Sequence, residues 1–373
     1  MFGIALAALA AWIYLILWRG GFWMVREEEP LEANPPPRSI AVVIPARNEE
    51  KTLGAAVASL LGQNYPGRIQ LFVVDDHSSD GTVQAAGMHD RLRVLPARTL
   101  PEGWTGKLWA LSEGLAAALP SNPDYVLFTD ADIVHFPLNI AGLVARAEAG
   151  GLDLVSNMVE LQCETLAERA LIPAFVFFFF MLYPPRWIAD PRRRTAGAAG
   201  GCILIRPPAL ARMGGIASIR GELIDDCALA QAIKPGGRLW LGVTRQARSI
   251  RRYPTFSEIH RMIARTAFVQ LNRSVLLLAG TILAMAVVYL APPFLAFAAS
   301  RWTALCGTAA WGLMSICYIP TLRFYRRSWL WAPLLPLVAA FYLVATLDSA
   351  RRYWLGRGGE WKGRVQDDRK RGA

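Results

Sequence analysis

Tyr125-Val126-Leu127-Phe128-Thr129-Asp130-Ala131-Asp132 reads as a short apolar strand running straight into two carboxylates one residue apart. A strand apolar on both faces belongs to a sheet covered on both sides, and such sheets are built from alternating strands and helices. The preceding sequence repeats that unit. Residues 39–45, 70–75 and 92–95 are further apolar, β-branched runs, followed by helical patterns at residues 49–61, after Asp80 and at residues 106–119. The expected fold class is α/β, a mostly parallel sheet between helices. Polar residues after each strand then gather along one carboxyl edge, where open α/β sheets bind ligands.

Four clusters are candidates for chemistry. After the first strand, Pro45-Ala46-Arg47-Asn48-Glu49-Glu50 turns into a helix whose N-terminal amides face an anion, with Arg47 adding charge. After the second, Asp75 and Asp76 stand at a strand tip. They read either as acceptors for a base or ribose or as plain turn residues, with Asp80 capping the next helix. Asp130 and Asp132 offer hard oxygens suited to Mg²⁺ or Mn²⁺, which keeps waters and binds substrate phosphates. The fourth cluster, Glu222-Leu223-Ile224-Asp225-Asp226, heads an apolar helix, where a carboxylate either opposes the helix dipole or acts as a general base. Upstream, Gly197, Gly200 and Gly201 permit close backbone approach to a ligand, or form a bulge before a strand at residues 202–205. His135 reads as an ordinary hydrogen-bonding histidine.

Outside this region the chain changes character. Of 373 residues, 54% are hydrophobic and 18% charged, which excludes a disordered or fibrous chain. The apolar excess concentrates at residues 1–20, an uncleaved anchor with its N-terminus outside, and at residues 275–347, a membrane region of two or three spans. A linker, 21–38, with Pro35-Pro36-Pro37 leads into a cytoplasmic domain, 39–274, and a basic tail, 348–373, closes the chain. The formal net charge of +11 comes from Arg and Lys beside the apolar runs, which suits anionic lipid and excludes nucleic acid as a partner. The Trp329 segment, interrupted by Pro333 and Pro336, is expected to be re-entrant or interfacial. Residues 175–182, with four consecutive phenylalanines, look too short to span and read either as an interfacial segment or as a buried core helix, and residues 256–271 read as a basic amphipathic helix on the cytoplasmic leaflet. Five scattered cysteines form neither a disulfide framework nor a zinc site, in keeping with a reducing cytoplasm.

Taken in order, these residues resemble the family 2 glycosyltransferases of the nucleotide-diphospho-sugar (GT-A) fold over roughly residues 39–274. The resemblance implies a metal-dependent enzyme that moves a hexosyl group from a nucleotide-diphospho-sugar with inversion. It assigns Pro45, Arg47, Glu49, Asp75, Asp76, Lys107 and Asp130 to the nucleotide-sugar, Asp130 and Asp132 to the divalent cation, and Asp226 with Asp225 to catalysis. Gln270 and Arg273, in Gln270-Leu271-Asn272-Arg273-Ser274, match the family's QxxRW motif with Ser274 in place of Trp, which argues against a polysaccharide synthase. The layout is similar to lipid-directed members, among them ceramide, carotenoid and hopanoid-associated glycosyltransferases, as is the WxGR-type end Trp354-Leu355-Gly356-Arg357-Gly358-Gly359-Glu360-Trp361-Lys362-Gly363-Arg364. A lipid acceptor and a bacterial inner membrane follow from that resemblance. The alternatives are a nucleotidyltransferase of similar fold, whose phosphate loop is usually richer in glycine, and a non-catalytic nucleotide-sugar-binding scaffold of a membrane complex.

Overall fold

The computed structural model describes residues 1–27, 35–358, 360–361 and 364–365. Glu28-Glu29 of the linker and Lys362, Gly363 and Arg369-Lys370-Arg371 of the tail lie outside the described residues. The chain divides into two compact units. One comprises residues 27–162 and 187–252, the other residues 1–26, 163–186 and 253–373. The division is not linear: residues 163–186 and 253–274, which the sequence reading places in the cytoplasmic domain, belong with the apolar helices.

The first of these units is built on an eight-stranded sheet. Its strands are β1 (Ile40–Ala46), β2 (Ile69–Asp75), β3 (Leu92–Pro96), β4 (Tyr125–Phe128), β5 (Ile133–His135), β6 (Leu154–Glu160), β7 (Ile203–Ile205) and β8 (Leu239–Ser249), in the spatial order β3-β2-β1-β4-β7-β6-β8-β5. Every residue of β1 and β4 is buried, as their unbroken apolar runs require. β1 to β4 pair in parallel, Ala46 opposite Asp75 and Val43 opposite Phe128, so their carboxyl ends share one edge. The sheet as a whole is mixed. β7 runs antiparallel to both β4 and β6, and β5 antiparallel to β8. This direction matters for the site: with Ile203 opposite Phe128, the residues before β7, Gly200 and Gly201, arrive at the same edge as the residues after β4.

The helix Gly106–Ala118 lies on β1 and β2. A side chain at Gly114 would come within 2.4 Å of Val43 Cγ1 and 2.9 Å of Val74 Cγ2, so only glycine allows this approach. Thr105 caps its first turn by accepting from the Leu108 amide.

The second unit is helical. Four of its helical runs, Leu166–Ala189, Val275–Leu295, Arg301–Phe324 and Trp329–Trp354, are long and apolar enough to cross a membrane, and Phe2–Trp18 is a shorter apolar helix. Two expectations change. The phenylalanine-rich segment is no short interfacial piece but part of the helix Leu166–Leu182. A capping box between Thr165 and Glu168 starts it early, and Pro173 is accommodated within it. The Trp329 segment is a 3₁₀ turn, Trp329–Leu334, leading directly into the helix Leu335–Trp354, because Pro336 falls in the first turn, where no amide is needed. The amphipathic segment forms the helices Phe256–Ala264 and Ala267–Gln270. Its apolar face sits on the Leu335–Trp354 helix instead of lipid: Phe256 and His260 stack edge-on against Phe341, and the Phe268 amide donates to Ser349 Oγ at 3.0 Å.

Candidate active site

Each acidic cluster singled out in the sequence stands at the strand edge defined by β1, β2 and β4, with distinct partners. Beyond β1, the Arg47 guanidinium donates to the Asp76 carbonyl and lies 3.7 Å from its fully buried carboxylate. The two loops are laced together. The Asn48 amide donates to Ser78 Oγ at 3.0 Å, the Ser79 amide to Asn48 Oδ1 at 2.9 Å and the Glu49 amide to Thr82 Oγ1 at 2.8 Å. Asn48 (φ 52°) and His77 (φ 54°) take the left-handed conformation that these tight returns need. Asp75 accepts from the Ser78 amide at 3.3 Å, so it also serves as the turn residue of the alternative reading.

At the centre stands Lys107. Its ammonium lies 2.9 Å from Asp130 Oδ1 and 3.0 Å from Asp225 Oδ2, so it joins the end of β4 to the head of the helix Asp225–Ile233. Pro45, Lys107, Asp130, Gly200 and Asp225 line one recess, whose far wall is apolar, with Ile216, Ile219 and Leu229. Asp226 Oδ2 accepts from the Gly200 amide at 2.8 Å and Oδ1 from the Cys227 amide at 2.7 Å. A side chain at Gly200 would sit 3.3 Å from Asp226 Oδ2 and 3.4 Å from Lys107 Nζ. Glycine here lets the backbone reach the carboxylate.

The electrostatics follow from crowding. Burial, then the charge of Asp225, pushes the Asp226 carboxyl up to about 6, against the pull of Lys107 and of the two amides. Asp130 is likewise raised, first by burial and then by Asp132 and Asp225, although Lys107 opposes the shift. Burial alone would lower the Lys107 ammonium, but Asp130 and Asp225 outweigh it and hold it raised.

Asp132, 7% exposed, accepts at Oδ2 from Ser249 Oγ at 2.7 Å and from Arg251 Nε at 3.3 Å, both just beyond or at the end of β8. Arg251 Nη2 also donates to Glu49 Oε1 at 2.6 Å. Neither Ser249 nor Arg251 stands out in the sequence. Each lies more than a hundred residues from its acidic partner and in no motif, and only the position of β8 in the sheet brings it there.

Among the described residues no three His, Cys, Asp or Glu side chains converge as a complete metal cage. The donor set nevertheless fits a hard divalent cation that takes its remaining ligands from water and phosphate. Two carboxylates of the pattern Asp-x-Asp stand at one strand end, and burial, with Asp132 and Asp225 adding to it, keeps Asp130 raised even beside Lys107. His135 is no ligand. Asn139 Nδ2 donates to its Nδ1 at 2.8 Å, leaving Nε2–H to donate to Thr129 Oγ1 at 2.9 Å, and Thr129 in turn donates to the Gly201 carbonyl at 2.8 Å. Burial drives this imidazole down to about 3, so it stays neutral and ties the Asp130 turn to the Gly200 turn.

Gln270 and Arg273 belong to the helical unit, not to the unit carrying the carboxylates. Tyr183 donates its hydroxyl to Gln270 Oε1 at 2.9 Å, and the Arg273 guanidinium lies over the Tyr353 ring, 5.5 Å from its centroid.

Residues 41–213 match the family model for glycosyl transferase family 2. Over this stretch the chain is similar to family 2 glycosyltransferases. The chain is similar to the 4,4'-diaponeurosporenoate glycosyltransferase of Staphylococcus aureus (strain bovine RF122 / ET3-1), 31% identical over 96 residues, which are 26% of this chain and 24% of that protein. The protein of the same name from strain USA300 is 30% identical over 96 residues, again 26% and 24%. The match thus spans about a quarter of the length of these relatives. Among solved structures, the fold is shared with the mannosyltransferase PcManGT from Pyrobaculum calidifontis in complex with GDP-Man and Mn²⁺. Its TM-score is 0.53 at 20% identity, over 93% of this chain and 98% of that one. The GT-A-like α/β domain expected from the sequence is therefore borne out.

Proposed function

We propose that this chain transfers a glycosyl group from a nucleotide-diphospho-sugar to the hydroxyl of a lipid acceptor at a membrane surface, by single displacement with inversion. The observation that carries the proposal is the convergence of Lys107, Asp130 and Asp225 on one recess, with Asp226 beside it and raised to about 6. A raised, amide-held carboxyl is tuned for taking a proton near neutral pH.

In this mechanism the acceptor oxygen attacks the anomeric carbon and the bond from that carbon to the diphosphate breaks. The leaving nucleoside diphosphate keeps the electron pair, and the hydroxyl proton passes to Asp226. Arg47, Glu49, Asp75 and Asp76 frame the nucleotide, and the Lys107 ammonium stands where leaving charge develops. A divalent cation at Asp130 and Asp132 would supply further neutralisation of the diphosphate. Asp225 holds Lys107 toward Asp130 and adds to the charge that keeps Asp226 basic. Mn²⁺ and GDP-Man in the similar mannosyltransferase, and the relatives named for diaponeurosporenoate, are compatible with the donor, cation and lipid acceptor. Gln270 and Arg273 are assigned to the donor by family resemblance alone. The helical unit is compatible with a multi-pass protein of the bacterial inner membrane, catalytic side toward the cytoplasm, and the resemblance favours an acceptor of the hopanoid class.

Detergent-purified protein given labelled UDP- and GDP-sugars, Mn²⁺ or Mg²⁺ and total bacterial lipid tests the proposal. Label should enter the organic phase with wild type and fall by about 10²–10⁴ with Asp226→Asn. Donor binding without transfer, unchanged by Asp226→Asn, would sink the catalytic reading and leave the scaffold. Formation of nucleoside triphosphate and sugar 1-phosphate from the same donors when pyrophosphate is added would mean a nucleotidyltransferase.

A further inference from the structure

We propose that Arg251 is a positioning residue of the donor site, joining the loop after β1 to the acidic pair after β4 and fixing the orientation in which Asp132 meets a cation. The inference rests on reading Asp130 and Asp132 as cation ligands. It adds a residue outside every motif of the sequence.

Asp132 is 7% exposed, and a carboxylate at that depth needs donors. It has two, Ser249 Oγ and Arg251 Nε, and both fall on Oδ2. Oδ1 receives no hydrogen bond among the described residues, so the carboxylate is turned with one oxygen anchored and the other available. Arg251 simultaneously donates from Nη2 to Glu49 Oε1 at 2.6 Å, while Glu49 Oε2 takes the Thr52 hydroxyl at 2.9 Å. Nε and Nη2 lie on the same edge of the guanidinium, the fork that ordinarily grips a single carboxylate. Here the two prongs take two carboxylates from different loops, Glu49 and Asp132.

Two consequences follow. The Glu49 side chain is engaged by Arg251 and Thr52, so it frames the nucleotide loop by anchoring it. The loop that would hold the nucleotide and the carboxylate that would hold the cation also share one rigid part, so a change at either is felt at the other. An ammonium carries the same charge but no fixed pair of prongs, so lysine does not substitute for the bridge.

The test is Mn²⁺ titration of the full-length protein in detergent, followed by electron paramagnetic resonance, alone and with UDP or GDP. Supporting partners of metal ligands are worth about 10–100-fold in metal affinity. Arg251→Met and Arg251→Lys should both raise the Mn²⁺ dissociation constant by about 10-fold or more. Glu49→Gln, which keeps the shape and removes one anchor, should raise it less. In the transfer assay the apparent constant for Mn²⁺ should rise more than kcat falls, a split that general loosening of the fold does not produce. Wild-type Mn²⁺ affinity in Arg251→Lys overturns the bridge, and this variant decides the matter alone should Arg251→Met fail to fold. Asp130→Asn separates the two layers. If it abolishes Mn²⁺ binding while the Arg251 variants bind normally, the cation site stands and the positioning role falls. If Asp130→Asn binds like wild type, the cation site itself is wrong.

Discussion

Asp226 combines two demands that pull against each other. In the proposed role of proton acceptor it must be ionised, yet burial and Asp225 favour its neutral form and push it up to about 6. Transfer should therefore fall as pH drops through about 6, measured as kcat/KM across a buffer series, and Asp226→Asn should remove this limb along with most of the activity. Stability runs the opposite way. The folded-state value lies above the unfolded value of about 3.9, so the folded chain holds this proton the more tightly. The stabilising contribution is present in full below about pH 4 and is lost as pH rises through 6. Asp226→Asn should accordingly melt higher than wild type at pH 8, with the gap closing toward pH 4. An equal gap at both pH values would contradict the raised carboxyl. The neighbouring Asp130 and Asp225 are tied together by Lys107.

Among the elements, the helical unit shows how one missing amide is answered from elsewhere. Pro292 has no N–H to give the Val288 carbonyl one turn earlier, and the helix there opens into a π turn, Ala286–Leu290. The indole of Trp12, on the Phe2–Trp18 helix, donates to that carbonyl at 2.9 Å and stacks edge-on against Tyr289. Trp12→Phe keeps most of the apolar surface and removes the donor. It should cost about 1 kcal/mol, seen as a lowered thermal midpoint in detergent, because a half-buried carbonyl loses its donor. A midpoint unchanged by the substitution would show that the carbonyl finds another donor. Elements with a dense local signal were plain in the sequence. β1, β2 and β4 fall within a residue of their expected bounds, as does the helix capped by Thr105. β5, β6 and β8 are not legible in the sequence: β5 has only three residues, the buried run of β6 includes the polar Ser156 and Asn157, the alternation of β8 is broken, and β5 and β6 pair with strands remote in sequence.

For the molecule as a whole, the way the units divide the chain predicts which fragment folds. A fragment of residues 39–274 carries the apolar helix Leu166–Leu182 and the helices Phe256–Ala264 and Ala267–Gln270 without the helices they pack with in their own unit. It should aggregate. Residues 27–162 joined by a short Gly-Ser linker to residues 187–252 keep all eight strands, Lys107, Asp130, Asp132, Asp225, Asp226 and Arg251, and should elute as a soluble, folded species. Gel filtration and circular dichroism of the two fragments decide between this division and the linear one. The +11 charge does not contradict solubility, since much of it lies on segments the joined fragment lacks.

Composition and local pattern settled the α/β class, the apolar segments, and the strand-end clusters around Arg47, Asp75, Asp130 and Asp226, because an apolar strand followed at once by polar residues is a signal contained within ten positions. Sheet order, strand direction and long-range pairing decided the rest. The antiparallel course of β7 delivers the Gly200 amide to Asp226, and the end of β8 delivers Ser249 and Arg251 to Asp132. Those contacts depend on which strands lie side by side, and adjacency across a sheet leaves no mark in the spacing of residues along the chain.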